Sequence, residues 1–202
     1  IITPAVGKDF DATVRKTKAI ITFEKPLLPN TTYSVNFREA IQDITEKNPA
    51  KNLRLAFSTG DYIDSLSVEG KVTNLLELKD VKDATVGLYE ADTFNIFKHK
   101  PAYLTKTDEQ GNFIIPNLKP GAYYVYAVQD NNKNLITDSK SESYAFLKNP
   151  IQLDSNARAI KLPLVRLDAR PLKLTSARPS ATYFNIKLSK SLKSYKLTSP
   201  DG

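Results

Sequence analysis

Helical periodicity is almost absent from this 202-residue chain, and short apolar–polar alternations between turn signals take its place. Residues 19–23 (AIITF), 32–37 (TYSVNF), 53–57 (LRLAF) and 123–128 (YYVYAV) read as strands with one buried face. Twelve prolines and several Asn, Asp and Gly turns punctuate these runs. Only 38–44 and 79–82 have the pattern of a helical turn. The fold class expected is therefore all-β, as tandem antiparallel β-sandwiches.

Three segments emerge. Residues 1–62 close with FSTGDYID, which leaves one sheet; residues 63–167 make a complete-looking β unit; residues 168–202 begin a new alternation. That last segment holds RPLKLT (170–175) and YFNIKL (183–188), then stops at the turn signal SPDG (199–202). A two-stranded ribbon is marginal by itself, so 168–202 is expected to be the incomplete start of a further β domain. The chain opens IITPAV and contains no Met, so it is expected to be a piece of a longer protein.

Charge is uneven. Residues 1–156 carry 19 Lys and Arg against 20 Asp and Glu, whereas 157–202 carry 10 against 2. Such a basic segment either faces phosphates or lines a solvated strand edge, where lysine discourages aggregation. No aromatic-plus-basic RNA motif accompanies it, and nucleic acid is not an expected partner. The absence of Cys excludes disulfides, thiolate metal sites and cysteine nucleophiles within this sequence. No run approaches the ~18 consecutive apolar residues of a membrane-spanning helix.

Two resemblances add to this reading. Residues 25–37 (KPLLPNTTYSVNF), 40–43 (AIQD), 48–49 (NP) and 57–59 (FST) resemble the later half of an SbsA-type bacterial Ig-like domain over residues 20–60. The first strands of that sandwich are expected upstream. Residues 68–72 (VEGKV), 81–90 (VKDATVGLYE), 107–113 (TDEQGNF) and 118–125 (LKPGAYYV) resemble a carboxypeptidase-regulatory-like (Cna-B/transthyretin-like) β-sandwich. Here Asp108–Gly111 is expected to form a hairpin turn, and Phe113, Ile115 and Leu118 to enter the core. In peptidases this module holds no zinc ligands, so the resemblance implies fold, not activity. Both modules in series are similar to exported Bacteroidetes envelope lipoproteins, which implies a lipidated cysteine upstream, outer-membrane localisation on either face and association with other envelope proteins.

Concentrated chemistry is sparse. Asp130, Asn132, Asn134 and Asp138 fall as D-x-N-x-N-x-x-x-D, the alternate oxygen ligands of a Ca²⁺ loop, with the Ile136 carbonyl between them. Leu135 stands where such a loop places Gly, and Glu142 lies one residue beyond the position of its bidentate Glu. Two readings remain: a weak calcium site, at the ~10⁻⁴–10⁻³ M of extracellular modules, or an Asx-rich connection whose side chains cap their own backbone. His99, the one histidine, is flanked by Lys98 and Lys100 and reads as an exposed loop residue. Carboxylate pairs such as Asp80/Asp83 and Asp108/Glu109 sit in turns. No nucleophile elbow, phosphate loop or dinucleotide fingerprint occurs, so an enzyme is not expected.

Tyr124 and Tyr126 should share one strand face, with Tyr123 opposite. The insertion 91–102 carries Phe94, Ile96 and Phe97 where a minimal sandwich needs only a short turn, which makes these three candidate partner-binding residues. The function expected is a non-catalytic envelope scaffold or accessory lipoprotein that binds other outer-membrane proteins. A carbohydrate- or matrix-binding adhesin is the alternative, and the accessory region of a peptidase a third. No cofactor beyond calcium is expected.

Overall fold

The structure is a computed structural model that describes residues 1–6, 10–43, 45–50, 53–90, 94–196 and 198; the closing SPDG turn signal (199–202) lies outside them. The described residues are all-β, with no helix. The chain divides into two compact units, Ile1–Leu167 and Asp168–Gly202.

The first unit begins with β1 (Ile2–Thr3), the hairpin β2 (Phe10–Arg15) and β3 (Lys18–Phe23), then β4 (Thr32–Asn36) and β5 (Arg54–Ser58). Strands β1, β4 and β5 make an antiparallel sheet in the order β1-β4-β5. The alternation of β4 sends Tyr33 and Val35 into a small core with Ile2, against which Phe10, Ile21 and Phe23 of the hairpin pack. The turn motifs have a direct physical role. The Thr59 hydroxyl donates to the Leu28 carbonyl at 2.6 Å and accepts from the Thr31 amide at 3.0 Å, and the Tyr33 hydroxyl accepts from the Leu28 amide at 2.9 Å. The loop before β4 is thus clasped by Tyr33 of β4 and by Thr59, the residue just past β5.

Next come β6 (Leu66–Asn74), β7 (Thr85–Tyr89), β8 (Tyr103–Lys106), β9 (Asn112–Leu118), β10 (Gly121–Val128), β11 (Tyr144–Phe146), β12 (Ile151–Leu153) and β13 (Ala157–Leu164). They form two sheets, β11-β10-β7-β8 with β12 also on β10, and β13-β6-β9. Between the sheets lies a core that includes Val68, Val72, Val86, Leu88, Phe113, Ile115, Leu118, Val125 and Leu162. Two expectations are corrected. Asp108–Gly111 does not close a hairpin: β8 pairs with β7 and β9 with β6, so the turn carries the chain from one sheet to the other. Gly111 is at φ 73° and a Cβ there would lie 2.5 Å from the Val72 carbonyl oxygen, so the arch needs glycine. The sandwich is also not wholly antiparallel, because β13 runs parallel to β6.

The segments on either side of residue 62 form one body. Strand β4 is buried on both faces: Tyr33 and Val35 on one side, Thr32 and Ser34 on the other. The Thr32 hydroxyl accepts from the Asp64 amide at 2.9 Å, and the Asn117 side chain donates to the Asp64 carbonyl at 3.0 Å. Arg38 pairs with Asp83 at 2.7 Å, the Lys119 ammonium donates to the Asn30 carbonyl at 2.8 Å, and the Ala5 amide donates to the Ala102 carbonyl at 2.7 Å. The Arg38 guanidinium holds the Asp83 carboxyl below the usual carboxylate range.

Buried phenols set the alkaline limit of this unit. Burial pushes Tyr89 and Tyr123 up to about 12, and Tyr103 rises for the same first cause. A raised phenol pKa stabilises the folded state fully below the unfolded value near 10 and loses that contribution as pH climbs through the folded one. Circular dichroism is expected to show unfolding between about pH 10 and 12, with phenolate absorbance from these three rings appearing in the same transition.

The second unit contains β14 (Leu174–Ser180) and β15 (Tyr183–Leu188), an antiparallel ribbon with Leu174 opposite Leu188 and Ser180 opposite Tyr183. The first expected strand begins later than residue 170: Arg170 is folded onto Asp168 through two charge-assisted bonds at 2.6 and 2.8 Å, and pairing starts at Leu174.

Candidate functional site

Two features that the sequence separates by some forty residues meet on the outer face of the β10–β7 sheet. Strand β7 is buried along its whole length, which a solvated sheet face would not permit. Val86 and Leu88 point into the sandwich core, while Tyr89 belongs to a second cluster with Ile96, Val128 and Tyr144. Phe94 and Ile96 of the insertion pack against the sheet and complete that cluster. Phe94 stacks on Tyr89 at 4.4 Å between ring centroids and meets Tyr124 at 5.0 Å and Tyr126 edge-on at 5.3 Å. Offset and edge-to-face pairs of this kind add to the apolar area they remove from water.

This placement changes what the three insertion residues offer. Ile96 is buried and Phe94 is half-buried within the chain's own aromatic cluster, so neither presents an exposed anchor. Phe97 is 39% exposed and meets Tyr144 edge-on at 5.9 Å. His99 closes the insertion: its Nδ1 accepts from the Asn95 amide at 3.0 Å and its own amide donates to the Asn95 carbonyl at 2.7 Å. That is a structural task at an exposed position.

The 130–142 loop packs beside the insertion, with the Thr137 amide donating to the Ile96 carbonyl at 3.0 Å. Its oxygens serve the backbone. Asp130 accepts from the Asn134 and Leu135 amides, Asn132 from Asn134, and Asn134 from Ile136. Asp138 accepts from the Lys140 amide and the Ser141 hydroxyl. Glu142, 1% exposed, receives the Asn131 amide at 3.0 Å and the Asp138 amide at 2.8 Å. Leu135 takes φ 63°, the left-handed conformation the loop requires at that point. Among the described residues no three Asp, Glu or His side chains converge as a metal site would need. The five candidate ligands are therefore gathered in one loop but used as caps.

The loop should stand without an ion. Its melting temperature is expected to be the same in chelator and in about 5 mM Ca²⁺, a concentration above the weak extracellular range, with no heat by titration calorimetry. Saturable heat that disappears in Asp130→Ala would instead establish a calcium site. Glu142→Ala should cost about 2 kcal/mol, because two amides lose their acceptor in a buried setting.

What remains open to solvent beside the cluster is aromatic. Phe146 is 54% exposed and lies nearly parallel to Tyr126 at 5.5 Å. Tyr124 and Tyr126 share that outer face, and Tyr123 points into the core, as strand alternation dictates. Phe146 escapes a sequence search because a three-residue strand gives almost no periodic signal.

The comparisons with known proteins fit part of this picture. The bacterial Ig-like domain family matches residues 1–59, the span of β1 to β5 and the loop clasped by Thr59. No curated protein gives a significant match to the chain.

Proposed function

We propose that the chain is a non-catalytic spacer and docking segment of a bacterial cell-envelope protein. The observation that carries this reading is the doubly buried strand β4, which joins the Ig-like residues to the following sandwich as one body. A rigid stack of sandwiches holds its loops and sheet faces at a fixed distance, and such surfaces commonly carry contacts. The bacterial Ig-like match at 1–59 supports a surface or envelope setting. The chain's histidine and its loop carboxylates are engaged in local backbone bonds, which suits a structural part better than acid–base chemistry.

The finer assignments belong to this proposal. Residues 63–167 are read as a carboxypeptidase-regulatory-like sandwich, and the whole as part of an outer-membrane lipoprotein of the Bacteroidetes type, anchored outside this sequence. Its protein partner would dock on Phe97 and Phe146, the exposed margin of the aromatic cluster, with half-buried Tyr124 packed in the cluster behind them. The test is to tag the protein in its native host, solubilise the envelope in mild detergent and identify what co-purifies. A stoichiometric outer-membrane protein, lost in Phe97→Ser/Phe146→Ser, supports the reading; recovery of the protein alone counts against it.

A second reading is carbohydrate or matrix binding, favoured by the exposed Phe146 ring stacked on Tyr126. Flat aromatic pairs of this kind suit the apolar faces of sugar rings. Glycan-array binding that Phe146→Ala abolishes would select it.

A further inference from the structure

Within the first unit, one cation stands at a seam between sheets without an anion. Strand register sets Arg54 opposite Asn36 and Ala56 opposite Ser34, so these side chains share the sheet face turned away from Tyr33 and Val35. That face meets the sandwich, since the Thr32 hydroxyl on it accepts from the Asp64 amide. Arg54 borders a small recess with Ser34, Leu104 and Ile114. It also lines an open groove of about 620 Å³ between the Asn36 end of the sheet and the arch that carries Asp108.

The other cations of the groove are engaged. Arg38 pairs with Asp83 at 2.7 Å, Lys82 with Glu109 at 2.9 Å, and the Lys106 ammonium donates to the Asp83 carbonyl at 3.3 Å. Among the described residues, the Arg54 guanidinium has neither an acidic partner nor a hydrogen bond. Its side chain reaches solvent along the groove, yet the surrounding protein removes enough water to hold it below its ordinary pKa. A guanidinium kept there without a counter-charge costs stability, because its lost hydration is not replaced. An arginine with a purely structural task would have its partner within the chain.

The lining also restricts the charge of an occupant. Glu39 and Glu69 border the same groove and oppose a dianion. A carboxylate brings a single negative charge and accepts two parallel N–H bonds from a guanidinium. The volume lies within the roughly 300–1,000 Å³ of small-ligand pockets.

We propose that this groove binds a carboxylate group, held on the Arg54 guanidinium and supplied by a small free acid or by an acidic side chain of a peptide. The site shares no residue with the aromatic margin and does not depend on the docking role assigned there.

The test uses the purified 202-residue chain and three probes, each titrated at constant ionic strength: acetate, inorganic phosphate and the peptide acetyl-Gly-Glu-Gly-amide. Nuclear magnetic resonance follows the arginine Nε–H signals. The Arg54 signal should shift saturably with acetate and with the peptide, while those of Arg15 and Arg158, on exposed strand positions outside the groove, do not. Peptide binding at least about tenfold tighter than acetate assigns the carboxylate to a peptide segment, and equal affinities assign it to a small free acid. Arg54→Gln should weaken binding at least about tenfold, as loss of charge-assisted bonds requires. The same variant should melt at or above the parent chain, because it removes an unpaired cation from the seam. An Arg54 signal that moves no more than those of Arg15 and Arg158 overturns the proposal, and so does phosphate binding tighter than acetate. A melting temperature several degrees lower in Arg54→Gln would make the guanidinium a structural group and overturn it equally.

Discussion

Phe94→Ala is expected to destabilise the folded chain by about 3 kcal/mol, the low end for loss of a packed phenylalanine. For a unit of this size that lowers Tm by roughly 6–12 °C. The ring is not at full burial, which moderates the cost, but it touches Tyr89, Tyr124 and Tyr126 at once and closes the outer face of β7. Its removal would leave the cluster with a void and Tyr89 partly wetted. Phe97→Ala, on the exposed side of the same insertion, should change Tm by only about 1–2 °C. If Phe94→Ala melts like the parent chain, the insertion is not part of the core and the partner-binding role passes back to all three residues.

Gly70→Ala is the second large effect, also about 3 kcal/mol, and it acts on backbone. Gly70 lies opposite Ile160 in the parallel pair and opposite Phe113 in the antiparallel one. A Cβ at position 70 would sit 2.1 Å from the Ile160 carbonyl oxygen and 2.8 Å from its carbonyl carbon. The bulge in β13, with Ala159 at φ 59°, presses that carbonyl onto the glycine. Relief requires moving a strand of the core sandwich, which is why the cost exceeds that of an ordinary extra methyl. Gly121→Ala is the matched control: its Cβ would meet only Tyr123 Cε2, at 3.8 Å, and stability should change by less than about 1 kcal/mol. Urea unfolding of the three chains, with midpoints compared at constant slope, measures both effects.

Much of the fold is visible in the sequence because the side chains that enter the apolar clusters recur at every second residue, Tyr33 and Val35 at 32–37 and Tyr123, Val125 and Ala127 at 123–128. The motif around Leu28, Tyr33 and Thr59 is equally legible, since each member bonds another directly. Period-two alternation is silent, however, about strand direction, so the parallel course of β13 beside β6 has no local signature. Turn chemistry is silent in a similar way: Asp-Glu-Gln-Gly reverses a chain whether the flanking strands pair or separate into two sheets. The aromatic cluster shows a third limit. Phe94 and Ile96 look like exposed anchors from their place in a long connection, and only the fold-back onto β7 and β10 reveals what covers them. The 130–142 loop was readable as a set of oxygen-bearing residues, yet whether those oxygens face an ion or their own amides depends on loop path, which spacing alone does not fix.

Residues 1–59, which match the bacterial Ig-like family, and the sandwich that follows are expected to behave as one rigid body. The chain has no cysteine, so spin labels can be placed at Thr22→Cys on β3 and Lys161→Cys on β13, both exposed strand positions. Pulsed electron resonance on the full chain should give a single narrow distance distribution. A broad or two-peaked distribution would mean that the junction at β4 hinges, and the spacer reading would fall with it.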